Sequence, residues 1–415
     1  MPVSTPVSRT TVTPAIGLNR VSGLDGLRAV AIVAVIVWHV NLTTGPAFPN
    51  GRWSRIFAEI AGTGWIGVDL FFVLSGFLIT RILFAAKGQR HYFRNFYIRR
   101  VLRIFPLYYL YAGAVVFVLP RITDFAGSAY WIHPLPWDRA SVFFYFYNFR
   151  LAVLRHDLPL VPHLWSLAVE EHFYFVWPVV VGIFNRRTLM RIALTGLVCS
   201  FIIRLVILYS PVWVVAAYLE TPCRLDGLLL GGYVALAQTD SLAWAGTVRL
   251  ARYGFGASTV LLTIIAVYQG HFYCFVSAGD FPGIHSSKPV LLFGISALAV
   301  LFASILVYVV ESGLHTRWLS HPAIRQVGIY SYGIYIYHWL VLKCAEDAFD
   351  GVRSGFHIPD IASKLVLSVV VLAATTLIAA VSYKYFESPL LRLKSKFPVA
   401  TAPTKIRFPA IDVAS

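Results

Sequence analysis

The chain of 415 residues is 58% hydrophobic and 13% charged, with a mean hydropathy of +0.70. Those proportions exclude a soluble globular protein, which needs far more polar residues to cover its surface. They predict an all-α polytopic membrane protein. The formal net charge of +16 does not signal nucleic-acid binding, because the basic residues sit in short loops beside apolar stretches, the positive-inside pattern.

Residues 1–22 are rich in Ser, Thr, Val and Pro and hold no apolar core of signal-peptide length. They are expected to form a disordered cytoplasmic tail. About ten spans of bilayer length are then expected, near 24–43, 63–85, 101–120, 163–184, 189–209, 219–238, 251–269, 289–311, 326–345 and 362–386. Together they make one membrane domain over 23–392, followed by a short cytoplasmic tail, 393–415. The segment from Lys87 to Arg103 carries six basic residues and no acidic one, which places both termini in the cytoplasm. The four cysteines show neither CxxC nor metal-ligand spacing, so no metal site is expected.

The first span, Leu24 to Val40, holds Asp25, Arg28 and His39. At about 100° and 1.5 Å per residue, Arg28 and His39 share one helix face about 16 Å apart. Ionisable residues within a span are costly and point to function. The second span carries Asp69 in its outer half, together with the pairs Ser75-Gly76 and, on the sixth, Gly231-Gly232, which read as helix-packing positions. Arg99, Arg100 and Arg103 cluster at the start of the third span. A helix N-terminus favours anions, and arginine forks suit phosphate oxygens. The outer loop 121–162 is rich in aromatics, read as an interfacial belt or as platforms for a sugar ring. On the fourth span His163, Ser166, Glu170 and Tyr174 share a face. Arg224 and Asp226 open the sixth span as a local ion pair or an acceptor contact, and His338 lies high on the ninth. One polar cavity holding His39, Asp69, His163 and Glu170 is the simplest account of four buried polar groups on four spans.

These residues fall in motifs that resemble the acyltransferase-3 family of bacterial integral membrane acyltransferases. The matching stretches run from Arg28 and His39 through GVDLFFVLSGFLITR (Gly67 to Arg81), RRVLRIFPLYY (Arg99 to Tyr109) and HLWSLAVEEHFYFVWP (His163 to Pro178). RLDGLLLGG (Arg224 to Gly232), SYGIYIYHW (Ser331 to Trp339) and FESPL (Phe386 to Leu390) complete the series. The resemblance implies a ten-helix inner-membrane domain that moves an acyl group, commonly acetyl, from acyl-coenzyme A to a hydroxyl of a cell-surface polysaccharide, a glycolipid or a small glycoside such as a macrolide. Many members of the family carry a further extracytoplasmic hydrolase-like domain. This chain is expected to complete transfer itself or to hand the acyl group to a separate partner.

On this reading the coenzyme's phosphates dock on Arg99, Arg100, Arg103 and Arg28, and His39 is the general base. A neutral imidazole with an ordinary pKa of about 6.5 suits that role near neutral pH. Asp69 or Glu170 is expected to orient its ring. His163, Trp165, Arg224, Asp226 and His338 are the candidate acceptor contacts. No Ser or Cys stands in a recognisable nucleophile setting, which favours direct transfer. A proton-coupled transporter and a non-catalytic scaffold are the rival classes. Transporters commonly show paired repeats with matching broken helices, and this sequence displays neither.

Overall fold

The structure, a computed structural model, describes residues 22–44, 52–209, 214–270, 287–312, 317–356 and 360–398. Its long helices are α1 (Ser22–Thr43), α2 (Arg52–Gly62), α3 (Ile66–Ala86), α4 (Tyr92–Gly113), α5 (Trp165–Ile183), α6 (Arg186–Leu208), α7 (Thr221–Ala237), α8 (Ser241–Gln269), α9 (Ile295–Ser312), α10 (Pro322–Phe356) and α11 (Asp360–Ser382). No strand occurs among the described residues. The protein is an all-α membrane protein.

Each of the ten expected spans falls on one of these helices. Seven helical stretches among the described residues are long and apolar enough to cross a bilayer: Gly23–Thr43, Ile66–Ala86, Tyr92–Ile122, Arg186–Leu208, Ser241–Gln269, Val290–Glu311 and Ile361–Lys396. The other three expected spans correspond to α5, α7 and α10. They carry Glu170 and Glu171, Arg224 and Asp226, and His338 with several tyrosines, so apolarity alone does not mark them.

The bundle is organised by close crossings at glycine. α3 and α7 pack along most of their lengths, and a Cβ added at Gly76 would lie 1.8 Å from the Leu228 carbonyl oxygen. One added at Gly231 would lie 2.0 Å from the Val73 carbonyl oxygen. Small residues that let backbones touch are the usual device for helix association in lipid. The packing role expected for these glycines is therefore what the structure displays. The Gly76→Ala variant should lose about 1–3 kcal/mol or more of stability through overpacking. Gly246→Ala, with open space around its Cβ, should be near neutral. Thermal unfolding of the two variants in detergent checks the contrast.

Around α3 and α7, α1 packs between α3 and α10, α11 backs α10, and α6 and α9 flank α7. The loop after α4 folds into the bundle. The Tyr108, Tyr109 and Tyr111 hydroxyls donate to the carbonyls of Val142, Phe143 and Leu160 at 2.8, 3.0 and 2.6 Å. Buried Asp138 accepts from Arg150 Nε at 2.8 Å, from the Tyr130 hydroxyl at 2.5 Å and from the Leu135 amide at 2.8 Å. Its aromatics divide accordingly. Trp131 and Tyr147 are buried, while Trp137 and Phe144 are exposed.

Residues 1–21 and 399–415 of the expected tails lie outside the described residues. The start of the expected C-terminal tail is ordered against α4. Arg99 Nη1 donates to the carbonyls of Lys394 and Phe397 at 2.9 and 3.1 Å, and Asn95 Nδ2 to that of Pro398 at 2.9 Å.

Candidate functional site

The polar residues predicted to share one cavity separate into three clusters, because each buried charge finds a closer partner than His39. The first cluster lines a cavity of about 130 Å³. Arg28 of α1, Arg100 and Arg103 of α4, Glu170 and Tyr174 of α5 and Ser75 of α3 form its polar wall. Phe71, Phe72 and Tyr332 are among its ring-bearing side chains. Glu170 accepts from the Tyr174 hydroxyl at 3.0 Å, and the Ser75 and Tyr174 hydroxyls are hydrogen-bonded to each other.

The three cavity arginines are held differently. Arg28 pairs with Asp25 at 3.5 Å. Arg103 faces Glu387 at 3.6 Å and stacks over Tyr332. Arg100 lies over the rings of Tyr174 and Phe96 at 5.3 and 5.7 Å. Arg99 is outside the cavity lining; its guanidinium is taken up by the C-terminal segment.

The second cluster is histidine. His39 and His338, on α1 and α10, stand with ring centroids 4.9 Å apart, and His163 stands 4.9 Å from His338. Trp339 meets His39 edge-on at 5.0 Å. All three histidines are buried. The geometry fixes the protons when the rings are neutral. His338 Nδ1 lies 2.6 Å from the Tyr335 carbonyl oxygen, which only accepts, so this nitrogen carries the hydrogen. His338 Nε2 is then an acceptor, and His39 Nδ1 donates to it across 3.2 Å. The remaining lone pair of His39 is on Nε2. His163 Nε2 donates to the Ile336 carbonyl at 3.2 Å.

One layer joins this cluster to the cavity. The Tyr335 hydroxyl donates to the His163 carbonyl at 2.8 Å, and Ser166 Oγ bonds that hydroxyl at 2.6 Å. Both side chains also line the cavity.

The third cluster pairs charges across helices. Arg224 Nη2 donates to Asp69 Oδ1 at 2.7 Å, both groups being buried. Asp226 accepts from Arg204 Nη2 at 2.9 Å and from Ser296 Oγ at 3.1 Å. The expected local Arg224–Asp226 pair is thus exchanged for two interhelical pairs. Asp69 is committed to Arg224, so neither Asp69 nor Glu170 orients His39; His338 fills that place. Trp165, expected at the acceptor, is buried against Tyr218 and Phe72, with Arg224 over its ring at 5.9 Å.

Sequence reasoning passed over Arg204, and it read Ser75 as a packing position and Tyr335 as part of a motif without a site role. A lone arginine inside the apolar run CSFIIRLVIL carried a usable signal. The two hydroxyls did not, since each depends on a contact from a distant helix.

The profile of the acyltransferase-3 family, described as an acyltransferase domain, matches residues 21–384. The chain is 31% identical over 393 residues to the "putative peptidoglycan O-acetyltransferase YrhL" of Bacillus subtilis, covering 89% of this chain and 55% of that protein. It is 29% identical over 402 residues to the "peptidoglycan O-acetyltransferase OatA" of Listeria monocytogenes, with 89% and 56% covered. Identity to the "O-acetyltransferase OatA" of Staphylococcus aureus is 26% over 395 residues, with 89% and 57% covered. The chain therefore spans a little over half the length of these relatives. No solved structure matches. With residues 21–384 inside its profile, the chain belongs to the acyltransferase-3 family.

Proposed function

We propose that the protein is a membrane O-acetyltransferase that moves an acetyl group from acetyl-coenzyme A to a hydroxyl of a cell-wall polysaccharide, in the bacterial cytoplasmic membrane. The names of the relatives support the acetyl group and the class of acceptor. The observation that carries the reading is the stacking of two chemistries. A cavity walled by Arg28, Arg100 and Arg103 lies one hydroxyl layer, Ser166 and Tyr335, from the His39–His338 pair.

The donor's phosphates meet the arginines from the cytoplasmic side, and its thioester points up the cavity. An acceptor hydroxyl must lose a proton as its oxygen attacks the acyl carbon. His39 Nε2 takes that proton, and His338 holds the other ring nitrogen in the matching tautomer. No metal or resident cofactor enters this scheme.

Arg100→Ala combined with Arg103→Ala should raise the KM for acetyl-coenzyme A by roughly tenfold or more, the scale of one lost charge-assisted contact, with little change in the acceptor KM. Steady-state kinetics on membranes or purified protein checks it. A change confined to the acceptor KM would move the donor site elsewhere. Acetyl-coenzyme A binding to the purified wild type also separates this enzyme from a transporter or scaffold.

A further inference from the structure

Ser75 stands in the middle of α3, on the wall of the arginine cavity. Its neighbours orient its proton. Glu170, as a carboxylate, only accepts, so the Tyr174 hydroxyl donates to it across 3.0 Å. The Tyr174 oxygen is then the acceptor for the Ser75 hydroxyl bonded to it. Through Tyr174 the serine proton is directed to a carboxylate, and the lone pairs of Oγ are left for the cavity. A hydroxyl bonded to a base that is in turn held by a further group is the arrangement of an activated nucleophile.

The backbone around it is rigid. Gly76, the next residue, is pressed against the Leu228 carbonyl, so the α3 segment that presents Ser75 has no slack. Precise, supported placement is what a reacting group needs.

We propose, resting on the donor reading above, that Ser75 is an acyl-accepting nucleophile and that transfer runs through an acyl-Ser75 ester. In the first step Ser75 Oγ forms an ester bond to the acyl carbon as the thioester C–S bond breaks. The serine proton passes through Tyr174 to Glu170 and is returned along the same path to the departing thiolate, which leaves as coenzyme A thiol. In the second step the acceptor oxygen bonds the same carbon as the Ser75 ester bond breaks. The proton that His39 takes from the acceptor oxygen is the one restored to Ser75 Oγ, so the cycle balances. The histidine pair, beyond Ser166 and Tyr335, serves the second step.

The test incubates the full chain in detergent with radiolabelled acetyl-coenzyme A and no acceptor. After an acid quench, peptide mapping reads any hydroxylamine-labile label. The expected result is an acetyl increment on the peptide bearing Ser75 in the wild type. The increment should persist in His39→Ala and be absent from Ser75→Ala, which should still bind acetyl-coenzyme A. Tyr174→Phe, which keeps the ring and removes the relay, should label about tenfold more slowly or worse. Binding without label in the wild type, or wild-type transfer by Ser75→Ala, overturns the proposal while sparing the functional reading. Ser75 labelled at an unchanged rate in Tyr174→Phe overturns the relay through Tyr174. Absence of acetyl-coenzyme A binding altogether removes the functional reading, and this proposal with it.

Discussion

The His39→Ala variant is expected to lose ester transfer by on the order of 10²- to 10⁴-fold, the usual worth of a positioned general base, while remaining folded with a lowered unfolding temperature. His39 is buried against His338 and Trp339, so the variant leaves a small void but strands no charge. Removing a neutral ring is therefore tolerable to the fold and fatal to proton transfer. His338→Ala should act more mildly. It leaves Nε2 of His39 in place but deprives Nδ1–H of its acceptor at 3.2 Å, so kcat should fall with both KM values nearly unchanged. The assay is release of base-labile acetyl from surface glycans of expressing cells, followed by mass spectrometry, with steady-state kinetics on purified protein. Near-normal turnover of His39→Ala would rule out His39 as the base.

The largest effect on folding should come from Asp69→Ala. That substitution leaves the buried Arg224 guanidinium without the carboxylate it meets at 2.7 Å. Breaking a buried pair by removing one partner costs about 3–5 kcal/mol, because an uncompensated charge stays behind. Replacing both partners with apolar residues of similar size, as in Asp69→Leu with Arg224→Met, should recover much of the loss. Thermal unfolding in detergent of the two single variants and the double variant measures the coupling. If Asp69→Ala abolished activity without loss of stability, Asp69 would belong to the chemistry and not to the frame.

Much of this architecture was legible in the sequence, and the reason is the solvent. A bilayer imposes span length and penalises charge, so apolar runs mark helices, and the residues that interrupt them mark places of interest. Arg28, Arg100, Arg103, Glu170, His39 and His338 were all visible in that way. Pairing was not. Which carboxylate meets which cation depends on helix neighbours, and a single sequence does not encode adjacency between α3 and α7 or between α1 and α10. Asp69 therefore read as a partner for His39 although it answers Arg224, and His338 read as an acceptor contact although it holds His39. Ser75 was obscured by the glycine beside it. The pair Ser75-Gly76 combines a packing residue with a cavity-facing hydroxyl on one turn of helix, and only the first carries a compositional cue.

The close crossing of α3 and α7 also divides the bundle mechanically. Two glycines there leave no gap for sliding, and the Arg224–Asp69 link clamps the same two helices while Arg204–Asp226 ties α7 to α6. α3, which lines the cavity through Val68, Phe71, Phe72, Leu74 and Ser75, is thereby braced from behind by α7 and α6. Across from them, α4 contributes Arg100 and Arg103 through ring stacking and a 3.6 Å ion pair, contacts that yield at lower cost. On the proposed donor reading, a thioester entering the cavity is expected to displace α4 and the C-terminal segment strapped to it by Asn95 and Arg99. The cavity thus has an anvil on one side and a leaf spring on the other, with Ser75 set on the anvil.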